Sequence, residues 1–108
     1  MKPSIRTPKR FSKEAKRLWR ALTAEYGIAD AGGLAILEAG LEAFDRAREA
    51  KALLDADGPV VVDRWGQKKT HPAASIERDA RGQWLAALRQ LCLDVEPLRP
   101  GPGRPPGR

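Results

Sequence analysis

One segment of the chain, residues 30–57, contains no proline and limits the possible folds more than any other. Asp30 stands where a helix N-cap is favoured, and Gly58 and Pro59 follow as stop signals. The segment therefore predicts a helix that reaches to about Ala56, a rod of roughly 40 Å at ~1.5 Å per residue. In a chain of 108 residues, such a rod leaves room for one small domain.

The apolar residues of this helix form two adjacent stripes, whose combined arc is too wide for one neighbour. The bulky stripe consists of Leu34, Leu37, Leu41 and Phe44. The small-residue stripe consists of Ile36, Gly40, Ala43, Ala47, Ala50 and Leu54. Because Gly and Ala permit close approach, we interpret the small-residue stripe as an interface with another subunit. The alternative is a central helix that is buried within one chain.

A basic arm and a shorter helix precede this segment. Ser12 is a suitable N-cap and Gly27 a suitable stop, so the helix is predicted from about Lys13 to Tyr26. Residues 1–10 combine prolines with basic residues and have no apolar periodicity, which predicts a flexible arm. The helix itself carries apolar residues on one side and basic residues almost opposite. The candidate phosphate-binding residues are Lys9, Arg10, Lys13, Lys16, Arg17 and Arg20.

The net charge of +6 is divided unevenly along the chain. Residues 1–20 have a net charge of +7, residues 21–98 have −4, and residues 99–108 have +3. Basic ends on an acidic body suit a polyphosphate backbone, because each neutralised phosphate releases condensed counterions. The alternative is that the basic termini only keep the protein in solution.

The rest of the chain predicts a β-hairpin, a third helix and a tail. The β-branched residues 60–62, a turn at 63–66 and the polar segment 67–70 indicate the hairpin, with Trp65 near its tip. Trp65 is either an exposed contact residue or folded back over the strands. His71 and Pro72 open a helix with an apolar face from Ile76 to Leu91. Residues 95–108 are rich in Pro, Gly and Arg, which predicts a disordered tail.

The chain has few of the side chains that catalysis or metal binding requires. It has one cysteine, Cys92, between two leucines, which predicts a packed thiol, and one histidine, His71, which we interpret as a cap. No phosphate-binding loop and no catalytic triad can be assembled. The carboxylate pairs Glu38/Glu42 and Asp45/Glu49 are explained by a solvated acidic face. We therefore expect no enzymatic activity, cofactor, metal, secretion signal or membrane span.

Several short motifs, taken in order, resemble the short family of phage terminase small subunits, which includes those of gene-transfer agents. They are residues 11–19 (FSKEAKRLW), residues 58–61 (GPVV) with Gly66 after them, residues 71–73 (HPA) and residues 76–80 (IERDA). The similarity runs from about residue 8 to residue 106 and includes the Arg-Pro-Gly tail.

The resemblance implies a non-catalytic helical protomer that forms a homo-oligomeric ring. It also implies that the ring engages double-stranded viral DNA and delivers it to the terminase large subunit, which holds the ATPase and nuclease activities. On this interpretation the protein acts in the host cytoplasm, the basic arm and first helix bind DNA, and the small-residue stripe forms the ring contacts. DNA binding is expected to be non-specific, because no separate recognition helix is evident.

The predicted fold is mainly α, with three helices, a long central one, and a hairpin between the second and third. Its predicted divisions are a basic arm (1–10), a helical oligomerisation and DNA-binding domain (11–94) and a tail (95–108). Two other functions remain open. One is a small dimeric DNA-binding transcriptional regulator. The other is an adaptor whose basic termini bind an acidic protein.

Overall fold

The structure, a computed structural model, describes residues 6–93 and consists of three helices and one hairpin. The elements are α1 (Lys13–Tyr26), α2 (Ala31–Asp57), β1 (Val60–Val62), β2 (Lys68–Thr70) and α3 (Ala73–Gln90). The predicted fold class is therefore confirmed, including the long central helix and the position of the hairpin. Residues 95–108 and residues 1–5, for which a tail and part of the arm were predicted, lie outside the described residues.

The helix boundaries follow the capping residues that the sequence indicates. The Ser12 side chain accepts a hydrogen bond from the Ala15 amide, and the Asp30 side chain accepts one from the Gly33 amide. Gly27 ends α1 in the left-handed conformation, with φ of 63°. A residue with a Cβ pays a steric penalty in this conformation, so glycine is favoured here.

The hairpin and the start of α3 also agree with the sequence. β1 and β2 are antiparallel, and Val60 pairs with Thr70. The N-cap position of α3 is occupied by Pro72, which makes no side-chain capping hydrogen bond. His71 stands one residue earlier, and its Nδ1 accepts a hydrogen bond from the Ala73 amide at 2.9 Å. The other ring nitrogen, Nε2, lies 3.0 Å from the Asp57 carboxylate, so the same ring joins the end of α2 to the start of α3.

The apolar core lies around the N-terminal half of α2. Leu37 and Leu41 are fully buried there, and Trp19 of α1 packs against the same cluster. Phe44 and Trp84 contact each other edge to face, with ring centroids 5.4 Å apart. No described member of the cluster lies between Asp45 and Gln83, so the distal halves of α2 and α3 extend beyond this cluster.

Small residues let α2 and α3 approach closely along their length. Alanines occur every seven residues on α3, at Ala73, Ala80 and Ala87, and all three are buried. On α2, Gly40 lies directly beneath Ala87: a Cβ added to Gly40 would come within 2.6 Å of the Ala87 Cβ. Side chains of ordinary size at these positions would force the two helices apart.

The positions predicted for a subunit interface divide into two groups in this structure. Gly40, Ala43 and Ala50 are buried within the chain itself. Ile36, Ala47 and Leu54 are half-buried. For the first group, burial within one chain accounts for the small side chains without a second subunit, because close packing of α3 requires them.

The prediction of a packed Cys92 thiol is wrong. Cys92 is exposed and has a left-handed backbone, with φ of 60°. The Leu93 amide donates to the Leu88 carbonyl and the Cys92 amide to the Arg89 carbonyl, which is the hydrogen-bond pattern of a Schellman motif. This reversal turns the cysteine outward and places the next residue, Leu93, in the core.

Replacing Cys92 with glycine should therefore stabilise the protein by about 0.5–1 kcal/mol, because glycine adopts a positive φ without steric penalty. Urea unfolding under reducing conditions measures the effect. Cys92→Ala is the matched control, since it removes the thiol but keeps the Cβ. A glycine variant no more stable than the alanine variant would contradict a left-handed residue at this position.

Within residues 6–93, no helix combines the length and the apolar character needed to cross a bilayer.

Candidate nucleic-acid interface

The exposed side of α1 carries a row of cations. Lys13, Arg17 and Arg20 are exposed and follow each other at spacings of four and three residues, so they share one face. Lys16 is half-buried beside them, and Lys9 is exposed just before the helix. Among residues 6–93, no carboxylate lies within 4.0 Å of a side-chain nitrogen of these five residues, so their charges are not neutralised by close ion pairs. We call these five residues the α1 basic face.

The opposite side of α1 fixes the orientation of this face. Ala15 and Trp19 are buried, and Leu18 and Leu22 pack against the core from the same side. The acid in the first turn, Glu14, lies 3.6 Å from Arg48 of α2. The negative charge within the basic segment is thus directed to α2, so it does not weaken the α1 basic face at short range.

A carboxylate of α2 anchors the start of α1. Asp45 accepts a hydrogen bond from the Ser12 amide at 3.0 Å and another from the Ser12 hydroxyl at 2.5 Å. The same hydroxyl oxygen accepts from the Ala15 amide as the N-cap. Because one side chain both caps α1 and binds α2, the first turn of the basic helix has a defined position on the long helix.

Arg10 is separated from the other predicted phosphate-binding residues by its contacts. Its guanidinium forms ion pairs with Glu38, at 2.5 Å, and with Glu42. Hydrogen bonds to Glu42 and then to Glu38 raise the pKa of Arg10 above its usual value. A guanidinium held by two carboxylates adds little attraction for a polyanion, so the fold uses Arg10 to hold the arm on α2.

The acidic residues of α2 were interpreted from sequence as a solvated face, and this interpretation was incomplete. Glu38, Glu42 and Asp45 occur at spacings of four and three, so they form one acidic stripe along the helix. The stripe receives Arg10 and Ser12 from the arm and the start of α1. A basic segment and an acidic stripe in one short chain were the signal that could have indicated this contact.

Comparison with known proteins identifies the family. A family model described as phage terminase, small subunit, matches residues 12–96, which includes every helix and strand described above. This chain belongs to the phage terminase small-subunit family. No curated protein and no solved structure gives a significant match.

The matched region of this terminase small subunit begins at Ser12, the residue that caps α1 and binds Asp45. It therefore includes four residues of the α1 basic face, Lys13, Lys16, Arg17 and Arg20, while Lys9 lies just before it. In the part of the terminase subunit that the structure describes, no group of three or more His, Cys, Asp or Glu residues is arranged to hold a metal ion.

Proposed function

We propose that this chain is the non-catalytic small subunit of a viral DNA-packaging terminase. It forms a homo-oligomeric ring in the host cytoplasm, binds double-stranded DNA, and hands the DNA to the large ATPase and nuclease subunit or regulates that subunit. It acts without a cofactor and without a membrane. The observation that carries the proposal is an unneutralised basic face on α1 in a chain of the small-subunit family.

The dimensions of the α1 basic face support duplex binding. Lys13 and Arg20 are seven residues apart, which is about 10 Å along a helix at ~1.5 Å per residue. This distance is comparable to the width of a DNA groove, about 12 Å for the major groove, so the two side chains reach phosphates on either side. Contacts to phosphates position a protein on the duplex but carry no sequence information. Binding is therefore non-specific in this proposal.

Exposed apolar side chains on α2 and α3 support assembly. Arg46 of α2 donates a hydrogen bond to Gln83 of α3 at 2.8 Å. These two residues therefore lie on the same side of the antiparallel pair of helices. Leu53 lies seven residues further along α2 and Ile76 seven residues back along α3, so both are on that side, and both are about half exposed. Ile36, from the small-residue stripe, lines a groove on the same side. We place the ring contacts here. Ala47, also from the small-residue stripe, instead lines a groove on the other side of the two helices, with Lys51 and Glu77.

Two measurements on the full chain test the proposal. The first is binding to a fluorescently labelled duplex of unrelated sequence at several salt concentrations. The logarithm of the affinity should fall steeply and linearly with the logarithm of salt, with a slope of about −0.9 for each phosphate contact. The second is the molar mass in solution, by light scattering coupled to size exclusion. A closed assembly of many subunits is the expected result.

Other outcomes point to other functions. A stable dimer that protects one DNA sequence would favour the small transcriptional regulator. A chain that leaves duplex DNA unshifted at low salt, yet binds an acidic protein, would favour the adaptor. A molar mass equal to that of one chain would contradict the proposed ring.

A further inference from the structure

We propose that the tip of the β1–β2 hairpin is a second nucleic-acid contact, which receives an unstacked base of single-stranded DNA on the indole of Trp65 and the neighbouring phosphates on Arg64 and Lys68. This proposal rests on the proposed function, because it assumes a protein that handles DNA. It differs from the proposed function in two respects: the contact is on the hairpin and not on α1, and the ligand is single-stranded DNA and not a duplex.

Trp65 is exposed in a way that the other tryptophans are not. Its relative exposure is 73%, whereas Trp19 is 4% exposed and Trp84 packs against the core. The structure thus decides between the two orientations that the sequence left open: the indole does not fold back over the strands. A large aromatic side chain held in water contributes nothing to the core, but it gives a rigid apolar surface for a ligand.

The tip is ordered by one carboxylate. Asp63 Oδ1 accepts hydrogen bonds from the amides of Trp65 and Gln67, both at 2.9 Å. The hydrogen bond from Gln67 is the main reason why the pKa of Asp63 is lowered. Gly66 adopts a positive φ of 79°, which lets the chain reverse directly after Trp65. Trp65 is therefore held on a defined turn, so little ordering is needed when a ligand binds.

The charges at the tip favour an anionic ligand. The Arg64 guanidinium lies over the Trp65 ring, 4.9 Å from its centroid, so one side of the indole carries a positive charge. Lys69 pairs with Asp63 at 3.5 Å. Within residues 6–93, neither Arg64 nor Lys68 has a carboxylate within 4.0 Å. One cation over the Trp65 ring and one at the start of β2 are therefore available to phosphates.

The strand register adds an apolar margin beside these cations. Val62 pairs with Lys68 across the hairpin, so the two side chains lie on the same face of the strands. Val60 is on that face as well, and both valines are more than half exposed. An aromatic ring with cations and aliphatic carbon around it is the combination that binds a base together with its sugar and phosphate. A protein partner would use the valines and Trp65, but it would give no reason for two free cations.

The preference for a single strand follows from geometry. In a duplex, neighbouring base pairs cover the faces of each base, so an indole can stack only where a base is unpaired or at an end. The hairpin is also distant from the α1 basic face. α1 begins near Asp45 and Arg48, and the ten residues from Arg48 to Gly58 extend α2 by about 15 Å towards the hairpin, at ~1.5 Å per residue. The two contacts can therefore be tested separately.

The test compares full-length variants on labelled oligothymidine and on a labelled duplex of the same length. Trp65→Ala should weaken oligothymidine binding by about tenfold, the typical effect of losing one stacked base, and should change duplex affinity less than twofold. Trp65→Phe should keep most of the affinity for oligothymidine, because it keeps an aromatic face. Arg64→Ala with Lys68→Ala should reduce the salt dependence of oligothymidine binding by a slope of roughly 1.4, at ~0.7 for each contact. The matched control is Leu85→Ala, which trims an exposed apolar residue on α3 and should change neither affinity.

Tryptophan emission gives an independent readout. Oligothymidine should quench the emission of the wild type, and most of this quenching should be lost in Trp65→Phe, whose remaining tryptophans are the less exposed Trp19 and Trp84.

The outcomes separate the two proposals. A wild type that binds duplex DNA, with oligothymidine affinity unchanged in Trp65→Ala, overturns the hairpin contact alone. Loss of binding to the large subunit in Trp65→Ala, with oligothymidine affinity unchanged, assigns the tip to a protein partner and also overturns it. A wild type that binds neither DNA overturns the proposed function and the hairpin contact together.

Discussion

Reversing three charges on α1, with Lys13→Glu, Arg17→Glu and Arg20→Glu in one protein, should weaken duplex binding by at least about 100-fold near 0.1 M salt. The three side chains are exposed on one face of the helix and have no close carboxylate within the described residues. Each phosphate contact contributes about 0.9 to the salt slope, which near 0.1 M salt corresponds to roughly eightfold in affinity. The slope itself should therefore fall by roughly 3.

A matched control distinguishes an effect of the α1 basic face from an effect of the net charge of the protein. The variant Lys51→Glu, Arg78→Glu and Arg89→Glu changes the net charge equally, but on exposed positions of α2 and α3. The duplex affinity of this control variant should fall by less than about tenfold, because electrostatic repulsion over more than ~10 Å is screened near 0.1 M salt. Arg10→Gln should leave the slope unchanged, since the guanidinium is already held by Glu38 and Glu42. If the two triple variants lost the same amount of duplex affinity, the DNA contact would not be on α1.

The same substitution at two helical glycines, Gly40→Ala and Gly82→Ala, should have opposite effects on stability. At Gly82 a Cβ meets no atom within 4 Å, so alanine should stabilise α3 by about 0.5–1 kcal/mol through helix propensity. At Gly40 a Cβ would lie 2.6 Å from the Ala87 Cβ and 3.3 Å from the Trp84 ring. Overpacking of a core typically costs 1–3 kcal/mol, which exceeds the gain in propensity, so Gly40→Ala should lower the free energy of unfolding by about 1–2 kcal/mol.

A compensating change tests whether the contact between α2 and α3 is the cause. Ala87→Gly removes the methyl group that the new Cβ would meet, so the double variant Gly40→Ala/Ala87→Gly should be more stable than the sum of the two single effects predicts. Urea unfolding of the four proteins gives the coupling free energy, which we expect at about 1 kcal/mol or more. Additive effects would show that the helices are not in close contact at Gly40.

Capping and stop residues, recognised in the sequence alone, were sufficient to predict the secondary structure. Ser12 and Asp30 cap helices, Gly27 ends one, and His71 binds the first amide of α3, each as the sequence indicates. These signals act through hydrogen bonds and steric restrictions between residues close in sequence, so they can be recognised without the fold. Cys92 shows the limit of this approach, because its apolar neighbours suggested burial while the left-handed end of α3 turned it outward.

The candidate site was predicted in part. The sequence indicated the basic side of α1, and the structure leaves Lys13, Arg17 and Arg20 exposed there. It assigned Arg10 to the same group, but Arg10 binds the acidic stripe of α2. A helical wheel places charges on faces and contains no information on which face of another helix lies opposite. The wheel alone therefore could not pair Arg10 with Glu38 and Glu42, which are 28 and 32 residues away.

The sequence by itself determined the three helices, the hairpin, the division into acidic body and basic arm, and the resemblance to the small-subunit family. Tertiary structure alone decided that Gly40, Ala43 and Ala50 are buried within the chain, that Trp65 is exposed, and that Asp45 holds the start of α1. The physical reason is the range of the interactions. Capping, turn formation and periodicity depend on neighbours along the chain, whereas burial and ion pairing depend on which surfaces meet after the helices pack.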